Sequence, residues 1–122
     1  MKKFIGLLAT LALLVPVLAF ATGTVAEAKL GRNVVDRQIV DETTTFAVGE
    51  KSFLWLRMED AAGETLTVTW KIDDQAYPAT LSIGGTPWRT WANKTLHIAG
   101  EWTVTVTDAA GTALNETRFT VK

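Results

Sequence analysis

The 122-residue chain has no cysteine, one histidine (His97) and two serines (Ser52 and Ser82). Without cysteine there is no disulfide, no thiolate metal site and no anchor point for the lipid of a bacterial lipoprotein, so packing alone must stabilise the fold. A single histidine gives no transition-metal spacing, and neither serine lies in a Gly-x-Ser-x-Gly elbow. No metal or other cofactor is therefore expected. Basic residues are dispersed, and the formal net charge is −1. A nucleic-acid groove needs a clustered cationic face that exchanges counterions with phosphate, so nucleic acid is not an expected partner.

One long apolar run is present, at the N-terminus. Lys2 and Lys3 precede the run Phe4 to Val15, Pro16 interrupts it, and small residues follow, which is the pattern of a cleaved export signal. Two A-x-A sites follow, Ala19-Phe20-Ala21 and Ala26-Glu27-Ala28. The polar stretch between them favours the second site, while Pro16 favours the first. The expected organisation is a signal helix within residues 1–28, with cleavage after residue 21 as the alternative, and one domain over residues 29–122. An uncleaved anchor is the competing reading, because Phe4 to Ala21 is at the lower edge of membrane-spanning length. After cleavage no membrane segment is expected, and the protein is read as periplasmic or extracellular. Losing Lys2, Lys3 and Glu27 leaves ten Lys and Arg against twelve Asp and Glu, close to neutral for one small domain.

The remainder reads as an all-β antiparallel sandwich of about seven or eight strands. Trp102, Val104 and Val106 alternate with Thr103, Thr105 and Thr107, and Leu66, Val68, Trp70 and Ile72 alternate with Thr65, Thr67, Thr69 and Lys71. Each segment has one apolar and one polar face. Ala79 to Ile83 and Arg118 to Lys122 repeat the pattern. Weaker candidates are Val34 to Val40, Phe46 to Val48, and Ser52 to Met58, the last apolar on both faces as a central strand would be. Asp-Ala-Ala-Gly occurs at Asp60 to Gly63 and again at Asp108 to Gly111, and both are expected to be hairpin turns. Asp73-Asp74 is read as a third turn between strands, and Lys29 to Arg32 as a short linker.

Five tryptophans are the chain's most unusual content. Trp70 and Trp102 lie in register with aliphatic residues and are expected in the core, each burying on the order of 200 Å²; Trp55, between Leu54 and Leu56, is assigned to the core as well. The block Trp88-Arg89-Thr90-Trp91 is different. On a strand, Trp88 and Thr90 share one face while Arg89 and Trp91 share the other, so both indoles do not fit in one layer. Trp88, Arg89, Trp91 and Lys94 are therefore the candidate binding surface, an aromatic and cationic patch for a glycan, a peptide or an anionic polymer. The competing reading is a sandwich edge with an indole covering the end of the core. His97, between Leu96 and Ile98, is placed on the outer face of a short strand. The Asp73-Asp74 pair is explained by its turn rather than by calcium or acid/base work.

Leu66-Thr-Val-Thr-Trp70, Thr86-Pro-Trp88-Arg89-Thr90-Trp91, Gly100-Glu-Trp102-Thr-Val104 and Phe119-Thr-Val121 together resemble a bacterial family catalogued as domain of unknown function 2914. The resemblance covers about residues 52–122. It implies an extracytoplasmic, immunoglobulin-like β-sandwich of the bacterial envelope with no assigned activity. The chain departs from the family pattern at Val68, where histidine is usual, and at Ala92, where serine is usual, so no role of those polar groups carries over.

Three readings follow. The first is a non-enzymatic, envelope-associated binding module whose partner is an unidentified protein or glycan. The second is an assembly subunit that pairs through an exposed strand edge, the state in solution being a monomer or a weak self-associate. The third, a hydrolase, would need His97 and a serine brought together from distant strands. No catalytic residue is assigned.

Overall fold

The computed structural model describes residues 23–122. The expected signal helix and the Ala19-Phe20-Ala21 site lie outside these residues. The described residues contain no helix and form nine strands, one or two more than expected. They are β1 (Thr24–Val35), β2 (Gln38–Glu42), β3 (Thr45–Phe46), β4 (Lys51–Glu59), β5 (Thr65–Ile72), β6 (Gln75–Ser82), β7 (Trp88–Thr95), β8 (Gly100–Thr107) and β9 (Ala113–Val121).

Two sheets result, one of four strands in the order β2-β1-β4-β7 and one of five in the order β3-β9-β8-β5-β6. All pairs are antiparallel except β3 with β9. The alternation read from the sequence fixes what faces inward. Leu66, Val68, Trp70 and Ile72 of β5, Trp102, Val104 and Val106 of β8, and Phe119 and Val121 of β9 form one side of a shared core, and Leu54, Leu56 and Met58 of β4 form the other. The aromatic part is ordered: Trp102 stacks on Phe119 at 6.1 Å, and Phe119 meets Phe46 edge-on at 5.6 Å. β4 is central, between β1 and β7, and Trp55 on its outer face is buried because the β1–β2 hairpin covers it.

One local expectation is met and three are corrected. Asp108 to Gly111 does form the β8–β9 hairpin, with Asp108 Oδ1 accepting from the amides of Ala110 and Thr112 at 2.9 Å and Gly111 at positive φ. Its twin, Asp60 to Gly63, joins β4 of one sheet to β5 of the other, so it is a crossover between layers and not a hairpin. There the Asp60 amide donates to Thr86 Oγ1 at 2.8 Å. Val34 to Val40 is not one strand but the tip of the β1–β2 hairpin, turning at Asp36-Arg37. Lys29 to Arg32 is no linker; it lies within β1, where Leu30 and Gly31 are buried.

Gly31 explains how this hairpin bends. Up to Gly31, β1 pairs with β4, and from Gly31 onward it pairs with β2. A Cβ at Gly31 would lie 2.9 Å from both the Val40 carbonyl oxygen and Ile39 Cγ1. A glycine inside a strand permits this close approach of backbone to backbone. The far end of the hairpin then returns over the outer face of the four-stranded sheet.

Candidate functional site

Strand β7 sits at the edge of the four-stranded sheet and pairs only with β4. Its alternation divides the Trp88 to Trp91 block as the sequence required. Trp88 packs against the edge of the core and lies over the glycine pair, where a Cβ on Gly84 would be 2.8 Å from the indole. Lys94 shares its face, and its ammonium stands 3.8 Å from the centre of the Tyr77 ring. Arg89 and Trp91 point to the opposite, outer face. The four candidates thus do not form one patch: Trp88 and Lys94 close the edge between the sheets, while Arg89 and Trp91 belong to an exterior surface.

That exterior surface is organised around Trp55, directly opposite Trp91 on β4. Trp55 is only 2% exposed, yet it is outside the core cluster, because its neighbours Leu54 and Leu56 take the inward positions. The β1–β2 hairpin buries it from outside. The indole Nε1–H donates to the Arg37 carbonyl at 3.0 Å, and the Lys29 ammonium lies 5.6 Å from the ring centre. Trp55 is buried as expected, on the outer side of the sheet beneath the hairpin.

Between the hairpin tip and β7 lies a cavity of about 400 Å³. Arg37, Arg57 and Arg89 line it, with Trp55 and Pro87 as its apolar walls. Gln38 and Glu27 complete the lining. Arg57 is held by two carboxylates, Glu59 at 2.6 Å and Glu27 at 3.5 Å. The hydrogen bond that Arg57 donates to Glu59 is the main reason its guanidinium is harder to deprotonate than usual. Arg37 and Arg89 differ: among the described residues, neither guanidinium has a hydrogen bond, ion pair or ring contact. Arg89 is also the direct cross-strand partner of Arg57. Like charges in that position repel.

Arg37 sits on strained backbone. The turn residues Asp36 and Arg37 both have positive φ, 53° and 62°, as a type I′ hairpin turn demands. Asparagine and glycine adopt this conformation readily, whereas an ordinary L-residue gives up about 1 kcal/mol or more there. Sequence reading missed Arg37, Arg57 and Trp55 as site residues because their convergence depends on the hairpin folding back. The Asp-Arg turn carries no Asn-Gly signal that would have disclosed it.

The residues of the hydrolase reading are elsewhere. Ser52 is fully buried, accepting from Trp70 Nε1 and donating to the Lys94 carbonyl, both at 3.1 Å. Its hydroxyl ties the core to the β7 edge. Ser82 and His97 are exposed, and His97 lies on the β7–β8 connection rather than on a strand. Among the described residues, no group of three or more His, Asp or Glu side chains could hold a metal.

Residues 63–121 match the family described as protein of unknown function DUF2914. The resemblance carried by Trp70, the Trp88 to Trp91 block and Trp102 is thereby supported over those residues. At the two departures from the family pattern, Val68 is fully buried and Ala92 nearly so, so apolar side chains fill sites inside the fold. Among curated proteins, none matches the chain. Among solved structures, the Pseudomonas fluorescens alkylpurine DNA glycosylase AlkC bound to DNA containing an abasic site analog is similar at 18% identity, with a TM-score of 0.48. That similarity covers 80% of this chain and 31% of the glycosylase, so the chain spans less than a third of its length.

Proposed function

We propose that this chain is a non-enzymatic binding module, an immunoglobulin-like β-sandwich exported to the bacterial envelope, that contacts its partner through the outer face of the four-stranded sheet. The strand order supports the immunoglobulin-like assignment. β1-β4-β7 and β9-β8-β5 have the neighbour relations of strands A-B-E and G-F-C in that fold, and Trp70 on β5 holds the place of its buried strand-C tryptophan. The observation that carries the binding reading is the cavity lined by Arg37, Arg57 and Arg89, a concave site with convergent polar groups over an apolar wall. Its partner is a protein or glycan of the envelope. Replacing Arg89 and Trp91 by alanine should leave the chain folded, with the far-ultraviolet circular dichroism of the parent, since both lie on the outer face of the sheet and outside the core cluster. The same replacements should abolish retention on purified cell-wall sacculi. Strong destabilisation, or unchanged retention, would remove the outer face as the contact surface.

A second reading, assembly through a strand edge, is favoured by β7 itself. Its eight residues pair on one side only and contain no proline, whereas the opposite sheet's edge strand β6 carries Pro78. Light scattering behind size exclusion tests it; a strict monomer at millimolar concentration would reject it.

A further inference from the structure

We infer that the cavity between the β1–β2 hairpin and β7 is an oxyanion site, which receives a carboxylate or phosphate group of the ligand between Arg37 and Arg89. This deepens the binding reading above and rests on it for location alone. Three independent features converge on it.

The first is charge. Three arginines and a single glutamate line the cavity in a chain whose net charge is −1. Glu27 and Glu59 are both engaged with Arg57, which leaves the positive charge of Arg37 and Arg89 uncompensated among the described residues. The second is register. Antiparallel pairing places Arg89 directly across from Arg57, so a guanidinium without a carboxylate of its own stands beside one that is already paired. The third is backbone strain. Arg37 is held in the left-handed region at φ 62°, and its carbonyl is fixed by the buried Trp55 indole. Strain of this kind is retained where the surrounding structure over-determines it, and here it sets Arg37 at the cavity mouth.

The chemistry follows from the side chains. A guanidinium presents paired N–H donors that match the two oxygens of a carboxylate or two oxygens of a phosphate. Arg57, already saturated by carboxylates, contributes field more than new hydrogen bonds. Gln38 can donate to a neighbouring hydroxyl or carbonyl, and Pro87 offers an apolar surface for the body that carries the anion. Three arginines in the lining make the site a poor match for a purely hydrophobic ligand. An acidic sugar or a phosphate-bearing polymer fits, and the two sources are separable by experiment.

The test uses the full chain labelled with nitrogen-15, with the Trp55 indole N–H as a reporter inside the site. Inorganic phosphate, D-glucuronate and neutral D-glucose are titrated separately at constant ionic strength. Phosphate, glucuronate or both should shift the Trp55 indole and the Arg37 and Arg89 amides saturably, and glucose should not. Phosphate alone would identify a phosphoryl ligand; glucuronate alone would identify a carboxylate. Combining Arg37→Gln with Arg89→Gln should weaken that binding at least tenfold, with amide shifts elsewhere unchanged. Equal shifts with glucose, no shift with either anion, or undiminished affinity in the double variant would overturn the inference. Retention on sacculi separates it from the binding reading: a double variant that is still retained and still binds either anion with parental affinity leaves that reading standing and the oxyanion site refuted. Saturable phosphate or glucuronate binding by a parent chain that sacculi do not retain leaves the opposite.

Discussion

At the scale of single residues, a few polar groups link elements that the apolar core holds together. Ser52 illustrates the principle, because its hydroxyl satisfies the Trp70 indole inside the core and reaches the Lys94 carbonyl on the edge strand. Ser52→Ala removes little volume but strands a buried donor, so a loss of about 1–3 kcal/mol is expected from urea unfolding. A loss below a few tenths would mean that Trp70 finds another acceptor. Glu50 is the second such group. It accepts from the Ala47 amide at 2.9 Å and faces Arg32, which also contacts Asp41 and the Thr45 carbonyl. The Ala47 hydrogen bond, aided by Arg32, holds the Glu50 carboxyl below its ordinary pKa despite partial desolvation. A carboxylate depressed in the folded state contributes stability that is present above its unfolded pKa and disappears as pH falls through the folded value. Acidification below about pH 4 should therefore cost the parent more than Glu50→Gln. Urea midpoints of the two proteins should converge at low pH; parallel curves from pH 7 to 3 would contradict the assignment.

At the scale of elements, what the sequence disclosed depended on whether a pattern was local. Strands β5, β8 and β9 were legible because alternation with threonine on the outer face and an Asp-x-x-Gly hairpin are properties of neighbours in the chain. The identical tetrapeptide at Asp60 was misread because the choice between a hairpin and a crossover is made by which sheet accepts the next strand, a long-range outcome. The β1–β2 hairpin was invisible for a different reason: a strained Asp-Arg turn offers no punctuation, and Val34-Val35 and Ile39-Val40 run on as one β-branched segment. The same element bears on the proposed export signal. Of the two A-x-A sites, the one ending at Ala28 lies inside β1, where Thr24, Val25, Glu27 and Ala28 pair with Glu59, Met58, Arg57 and Leu56. Val25 and Ala28 also pack on the core. A chain beginning at Lys29 would lose these contacts and turn half of β4 into an open edge, whereas one beginning at Thr22 keeps the whole strand. If the chain is exported as proposed, N-terminal sequencing of the exported protein should give Thr22. An N-terminus at Lys29 would show that the fold tolerates β4 unpaired there.

At the scale of the whole molecule, the two sheets have no independent cores. Trp70 and Trp102 come from the five-stranded sheet and Leu54, Leu56 and Met58 from the other, yet all belong to one buried cluster. Neither sheet can separate without exposing both faces, so cooperativity must span the domain. Trp55 makes the argument testable, because it reports on the outer layer under the hairpin while Trp70 and Trp102 report on the centre. If the hairpin is held only by its indole hydrogen bond and surface ion pairs, which are individually weak, Trp55 would loosen first. The register argues otherwise. Trp55 lies on β4 between Leu54 and Leu56, both fully buried on the opposite face, and a central strand does not release one face while holding the other. Fluorescence of the parent and of Trp55→Phe should therefore yield urea midpoints that coincide with far-ultraviolet circular dichroism of the same protein. With no cysteine in the chain, reductant should leave each midpoint unchanged. A fluorescence transition that precedes the loss of β signal in the parent, and is absent from Trp55→Phe, would instead mark the hairpin as a separately opening unit. The arginine-lined cavity would then open before the domain unfolds.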